Sequence, residues 1–424
     1  MTHVAFIAGT YEPQHCGVAH YTAHLRTALA ERGIQSTVLT TYAAARSGDN
    51  AADQTVQGAV SQWRLSDLLV LVQTIHRTQA DLLHIQHAAG TYSFNRAIFL
   101  LPLLLRLSGW QAPIVTTVHE YGWWEWQPGF IPTRLLEGLK QWGQQQGWWD
   151  REDGFLLTRS NAIITTNSDA EQVLYRRLPH LKPIIHRIPI AANIDTLALG
   201  CQQPQSLNQP EMRREIRQTI HQTVRQQLGW DDETQIIAFF SFLHPVKGIE
   251  TLLTAFSQVL ANQPQARLLL IGGVESLALP AEQAARYWER LQTQISSLNL
   301  TETVYMTGYI DAEQVSHYLN AADIGVLPFN PGVTLKSGSL LAMMNHALPI
   351  VATRAEPPDP ELTDSLLKLV PPRNPVQLAA ALTELLQDST QRQRLATAAV
   401  AYSQRFNWNG IAEAHLRIYQ RLVY

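Results

Sequence analysis

Short apolar runs alternate with amphipathic helical stretches along almost the whole chain, and that rhythm points to one class of fold. Val4–Gly9, Ser36–Thr41, Leu82–Gln86, Ile114–His119 and Ala162–Asn167 are apolar runs of strand length, with helical patterns such as Tyr21–Arg32 and Ser66–Thr78 between them. A second series follows: Ile236–Ser241, Arg267–Gly272, Thr303–Thr307, Ile324–Pro328, Pro349–Thr353 and Leu367–Val370, separated by helical patterns over Gly248–Ala261, Ala281–Leu298 and Ala312–Asn320. Strands that alternate with helices pair in parallel, because each crossover returns the chain to the same sheet edge. The expectation is α/β, with two Rossmann-like domains facing across a cleft. In open sheets of this kind ligands sit beyond the carboxyl ends of the strands, so the residues just after each strand are the ones to read.

The Gln-rich stretch between the two series sets the domain limits. Residues 1–199 form a first domain, 200–231 a linker or insert, and 232–407 a second domain. Within the insert, Gly200–Glu211 reads as an exposed loop and Arg213–Leu228 as a polar helix. The last segment, 408–424, carries Ile411, Leu416, Ile418, Tyr419 and Leu422 at helical spacing and is expected to pack back on the first domain.

Charge and cysteine content narrow the partners. A formal net charge of −3 gives no electrostatic reason to bind nucleic acid. Cys16 and Cys201 are far apart and form no metal-type pair, which suits a reducing compartment. The start of the chain lacks the basic end and long apolar run of a signal peptide. The most apolar window, Ala97–Leu107, is too short to span a bilayer and is interrupted by Pro102 and Arg106. It reads as a buried or interfacial helix. The expectation is a cytoplasmic protein, with room for peripheral contact at the inner membrane face. Its oligomeric state is not legible.

Several strand-to-helix loops carry residues suited to chemistry. After the first strand, Gly9-Thr10-Tyr11-Glu12-Pro13-Gln14-His15-Cys16-Gly17 opens a helix, and Gly17 would let a ligand approach the backbone; a plain connecting loop fits equally well. His119 ends a strand, where an imidazole can polarise a sugar hydroxyl or simply satisfy a backbone carbonyl. His87 shares that position on the preceding strand. His15, His20 and His24 would permit a metal cluster, but their spacings match no zinc signature, so no metal is expected.

In the second series, Lys247 stands where a helix begins, with Gly248 behind it. A cation there opposes the helix dipole unless an anion visits. The loop Thr334–Ser339 holds Lys336, Ser337, Gly338 and Ser339 at another helix start, a place for a phosphate or a sugar hydroxyl or an ordinary α/β connection. Trp123, Trp124, Trp126, Trp142, Trp148 and Trp149 crowd a loop-rich region over 121–149. Aromatic faces stack on sugar rings or sit in lipid headgroup zones, and tryptophan is also good core filler.

Taken in order, SFLHPVKGIETLLTAF, ARLLLIGG, VYMTGYI, LNAADIGVLPF and SLLAMMNHALPIVAT resemble the donor domain of family 4 glycosyltransferases, which are retaining enzymes of the GT-B fold. IITTNSDAEQVL and IHRIPIAANID in the first half agree. The resemblance implies a nucleotide-sugar donor held mainly by the second domain, a hexosyl unit transferred with retention, a uridine diphosphate sugar as the favoured donor, and no cofactor or metal. It places Lys247 on the donor diphosphate and Gly17 near the phosphates, and beside them the loop residues Lys336, Ser337, Gly338 and Ser339 read as a further grip on the diphosphate. Tyr309 and Ile310, after Gly308, would hold the base, and His119 would lie at the transferred sugar. The acceptor, a sugar, lipid-linked or small-molecule hydroxyl, would bind near the Trp-rich loop.

Two departures stand out. Relatives carry an arginine five residues before the lysine, where this chain has Phe242. They carry two glutamates where it has Thr334 and Ala342. Lys336 could restore the lost positive charge, and Glu356 and Glu361 could approach the ribose. A binding protein that has lost catalysis, or another GT-B-fold enzyme such as a nucleotide-sugar epimerase or a phosphorylase, are the competing readings.

Overall fold

The computed structural model describes residues 2–14, 16–125, 133–194, 196, 210–274 and 280–424. His15, Trp126, Cys201 and most of the expected Gly200–Glu211 loop lie outside them. The chain divides into two compact units, Met1–Ala191 with Trp408–Tyr424, and Ala192–Asn407.

The first unit is built on a seven-stranded parallel sheet ordered β3-β2-β1-β4-β5-β6-β7. Its strands are β1 (His3–Ala8), β2 (Gln35–Thr41), β3 (Val56–Val60), β4 (Leu82–His87), β5 (Ile114–Val118), β6 (Ala162–Thr165) and β7 (Ile185–Arg187). Strand β1 is buried on both faces. Ala5 and Ile7 face one apolar cluster, while Val4, Phe6 and Ala8 face another that includes the C-terminal helix residues Ile411, Ala412, Ile418 and Tyr419. Period-two side-chain alternation produces this split, and burial on both faces explains the continuous apolar run. The helix Trp408–Val423 is also held by hydrogen bonding: Tyr419 Oη lies 2.6 Å from His84 Nδ1 at the centre of β4.

The second unit carries a six-stranded parallel sheet ordered β10-β9-β8-β11-β12-β13. These strands are β8 (Gln235–Phe240), β9 (Ala266–Ile271), β10 (Val304–Met306), β11 (Ile324–Leu327), β12 (Ile350–Thr353) and β13 (Lys368–Val370). The strand order reverses between β1 and β4 in one unit and between β8 and β11 in the other. Those switch points open the sheet at its carboxyl edge, and there the loops of interest emerge.

Three sequence-based expectations need correction. The boundary falls at Ala191–Ala192 rather than after residue 199, and the insert is not merely a linker: the helix Pro210–Leu228 belongs to the second unit. Ile220 and Val224 are buried, and Arg225 donates from Nε to Thr234 O at 3.1 Å and pairs with Asp323 Oδ2 at 3.2 Å. A few well-placed residues dock a helix whose average composition is polar. The loop-rich region after His119 contains the helix Thr133–Gln145. Its pattern is obscured because its apolar residues do not all face inward. Strands β3 and β7 were also not anticipated; Gln57 and Gly58 interrupt the apolar run of β3, and β7 has a single buried residue.

Candidate active site

At the β8–β11 switch point, two loops clasp each other. Strand β8 runs into Ser241–His244 and a single 3-10 turn, Pro245–Lys247, whose start is capped by the His244 side chain accepting from Val246 N at 3.2 Å. Asn330, after β11, donates from its side chain to Pro245 O at 2.9 Å and from its backbone N to Val246 O at 2.9 Å. The turn is therefore bolted to the neighbouring loop, and Lys247 is carried on rigid backbone. Its Nζ sits 3.8 Å from the centroid of the buried Phe329 ring. A cation over an aromatic face is attracted to its negative quadrupole.

Among the described residues Lys247 has no carboxylate partner. Burial of the ammonium, then the positive charge of Lys336, pushes its pKa from 10.5 down to about 8. A depressed lysine in a loop at a switch point marks a place where positive charge is held ready for an anion.

Lys336 is exposed and lies on the loop before the helix Gly338–Asn345. Ser337 caps that helix, its hydroxyl accepting from Leu340 N at 3.3 Å. Ser339 stands in the first turn, where backbone N–H groups have no intrahelical acceptor. The loop is set by Asp359, whose carboxylate accepts from Leu335 N at 3.0 Å and from Glu361 N at 3.1 Å. Asp359 was not anticipated from sequence, since nothing local separates it from other loop acids. Phe329 and Asn330 were also missed, although the Asn-Pro-Gly turn signal at 330–332 could have pointed to them.

The positions of the two lost glutamates have different surroundings. Thr334 is half-buried, and its Oγ1 has no hydrogen-bond partner among the described residues. Ala342 is fully buried in the helix core. The suggestion that Glu361 approaches a ribose is not supported: its carboxylate accepts from Tyr402 Oη at 2.8 Å and pairs with Arg405 at 3.5 Å. Glu356 is exposed. Tyr309 and Ile310 follow β10, the edge strand on the same sheet, Tyr309 exposed and Ile310 half-buried. Gly308 and Gly272 bridge the loops after β10 and β9.

In the first unit, Gly17 begins the helix Gly17–Ala30, and a Cβ there would meet nothing within 4 Å. The histidines of this region have local partners: His20 Nδ1 lies 3.1 Å from Glu12 and His24 stacks on Trp408. His119 follows β5. Its N–H donates to His87 O at 2.9 Å, its Nε2 lies 2.9 Å from Gln86 Oε1, and Tyr21 packs edge-on at 4.8 Å. Gln86 in turn approaches His84 at 3.4 Å, which meets Thr117 and Tyr419. This chain orients the imidazole from the sheet interior. Polar His84 and Gln86, two residues apart and alternating with apolar Leu83 and Ile85 in β4, were the period-two signal for it.

Burial, then the charges of His87 and His415, lowers the His119 pKa to about 3. The ring is therefore neutral at any physiological pH. An NMR titration is expected to show His119 unprotonated from pH 8 to pH 5, with ordinary exposed histidines titrating normally; a His119 transition near 6.5 would contradict the buried, neutral ring.

The tryptophans are divided. Trp124 lies under the Arg96 guanidinium at 3.9 Å, and Trp148 and Trp149 pack on Phe155, so these three fill structure. Trp123 and Trp142 are exposed.

Known proteins share this architecture. Residues 16–195 match a family model described as Glycosyltransferase Family 4, and residues 234–388 match one described as Glycosyl transferases group 1. A D-inositol 3-phosphate glycosyltransferase of Kineococcus radiotolerans is 26% identical over 47% of this chain and 47% of its own length. A GDP-mannose-dependent monoacylated alpha-(1-6)-phosphatidylinositol monomannoside mannosyltransferase of Corynebacterium glutamicum is 27% identical over 46% of this chain and 50% of its own. The chain spans about half the length of the curated relatives it matches. Among solved structures, HepE of Anabaena in complex with UDP and glucose aligns over 100% of both chains with a TM-score of 0.67 at 17% identity. At that identity the likeness is one of fold.

Proposed function

Because this chain belongs to the family 4, group 1 glycosyltransferases, we propose that it moves a hexosyl unit from a nucleotide-diphosphate sugar to an acceptor hydroxyl with retention of configuration. The observation that carries this reading is the Lys247–Lys336 pair beside the Ser337-capped helix start. Two cations and a set of free N–H groups suit a diphosphate, whose negative charge grows as the glycosidic bond breaks. In this reading the departing phosphate oxygen takes the proton of the attacking acceptor hydroxyl on the same face of the sugar. The enzyme then needs positioning and charge stabilisation, not a protein nucleophile or a metal ion. In this reading Ser337, Gly338 and Ser339 line the phosphates with Lys247 and Lys336. Tyr309 and Ile310 would take the base. Neutral His119, held through Gln86, would offer its Nδ1 to a sugar hydroxyl. A uridine donor is favoured by solved fold relatives that hold UDP or UDP-glucose.

Calorimetry with UDP, GDP and ADP and their hexose derivatives tests this directly. One series is expected to bind, with EDTA making no difference, and Lys336→Ala is expected to weaken it by about 1.5–3 kcal/mol, the worth of a charge-assisted hydrogen bond. A folded protein that binds none of them rules the transferase reading out. Binding without turnover across sugar and lipid-linked acceptors would instead support the non-catalytic alternative, which the loss of both glutamates at Thr334 and Ala342 favours.

A further inference from the structure

The helix Thr133–Gln145 is inside out. An amphipathic helix on a water-soluble domain turns its apolar stripe to the core and its charges to solvent. Here Leu135, Leu139 and Trp142, at i, i+4 and i+7, are 61%, 54% and 54% exposed. The inward face holds Leu136 and Gly143, but also Lys140, fully buried. Lys140 Nζ pairs with Glu137 at 3.1 Å and Glu125 at 3.8 Å, and Arg151 pairs with the same two carboxylates at 2.6 and 3.0 Å. Glu125 also meets Arg177 at 3.1 Å. Gly143 sits so close to Trp149 that a Cβ would lie 3.2 Å from its ring. The orientation is thus locked by an ion-pair network and a close contact, and the outward apolar stripe is a built feature.

We propose that this stripe docks on the surface of a lipid bilayer containing anionic lipid. Three observations select that occupant. First, the exposed helix positions carry Arg134, a cation, and the carboxylate beside them, Glu137, with its side chain 42% exposed, is neutralised by Lys140 at 3.1 Å and Arg151 at 2.6 Å. The face is apolar with a positive margin, complementary to acyl chains under anionic headgroups. Second, Trp142, and Trp123 at 55% exposure on the segment that supplies Glu125, are the side-chain type that settles at the headgroup level. Third, three half-exposed side chains cover far less than the roughly 800 Å² per partner of a stable protein interface, which disfavours a second copy of the chain. Among the described residues no helix is long and apolar enough to cross a membrane, so the contact lies in the interfacial plane. The inference is independent of any donor or acceptor chemistry.

Vesicle co-sedimentation of the full chain tests it, with phosphatidylcholine alone or mixed with phosphatidylglycerol. The parent is expected to partition onto the mixed vesicles, and the combined Leu135→Gln, Leu139→Gln and Trp142→Gln variant to lose at least ~10-fold of that partition with an unchanged circular dichroism spectrum, each CH₂ removed from the bilayer being worth nearly fourfold. Arg134→Glu, which leaves the apolar face intact, is expected to weaken binding to the mixed vesicles selectively. A parent that stays in the supernatant, or variants that bind as the parent does, would overturn the proposal. So would a parent that runs as a dimer which the triple variant dissolves, because the stripe would then be a subunit contact.

Discussion

Replacing Lys247 by alanine is expected to lower kcat/KM by about 10²–10³-fold, the scale seen when one preorganised stabiliser of developing charge is removed. Nucleotide affinity should fall by about 1.5–3 kcal/mol, read by calorimetry. The fold should survive, and the sign of the pKa shift says why. In the folded protein Lys247 titrates at about 8, against an ordinary value of 10.5. Below pH 8 both folded and unfolded chains hold the proton, so the buried charge costs the folded state in full. As pH rises from about 8 to 10.5 the unfolded chain binds more protons, and that cost is relieved. Removing the lysine therefore leaves stability unchanged or raised at neutral pH.

The same shift sets the pH dependence of binding. A diphosphate prefers the protonated lysine, so affinity should decline as pH climbs past about 8. In Lys336→Ala the neighbouring charge is gone, the Lys247 pKa moves back up, and the decline should begin at a higher pH. An affinity indifferent to pH from 7 to 10 would show that Lys247 does not face the anion.

The second large effect belongs to Gly248. Its φ is +69°, and a Cβ there would lie 2.0 Å from Pro328 O and 3.1 Å from Pro328 C. Those are backbone atoms at the end of β11, and the adjoining Asn330 is hydrogen-bonded back to Pro245 and Val246. Neither loop can yield without breaking the clasp. Gly248→Ala is expected to destabilise the chain by about 3–4 kcal/mol in urea unfolding, combining left-handed strain with a steric clash. Unlike Lys247→Ala, it should lower the melting temperature and nucleotide binding together. An alanine variant as stable as the parent would mean the two loops are not clasped as described.

Residue patterns made much of this legible. Eleven of the strands named above were anticipated within a residue or two, because buried parallel strands read as continuous apolar runs. The missed elements share a cause. Strand β7, with one buried residue, has no run to read, and Thr133–Gln145 breaks the amphipathic rule by facing its leucines outward. In the candidate site, Lys247, Lys336 and Ser337 were visible as basic and capping residues at helix starts. Asp359, Asn330 and Gln86 were not singled out, since each acts through a partner distant in sequence.

The sequence by itself determined the α/β class, the two series of strands and the family, because periodicity and ordered motifs are local properties. Tertiary structure alone decided which charges stay open and which are spent. It set Glu361 against Tyr402 and Arg405, buried Lys140 among carboxylates, and placed Lys247 over Phe329, where burial and then the charge of Lys336 lower its pKa. Coulombic and desolvation energies depend on neighbours in space, and residues far apart in the chain supply those neighbours only once it has folded.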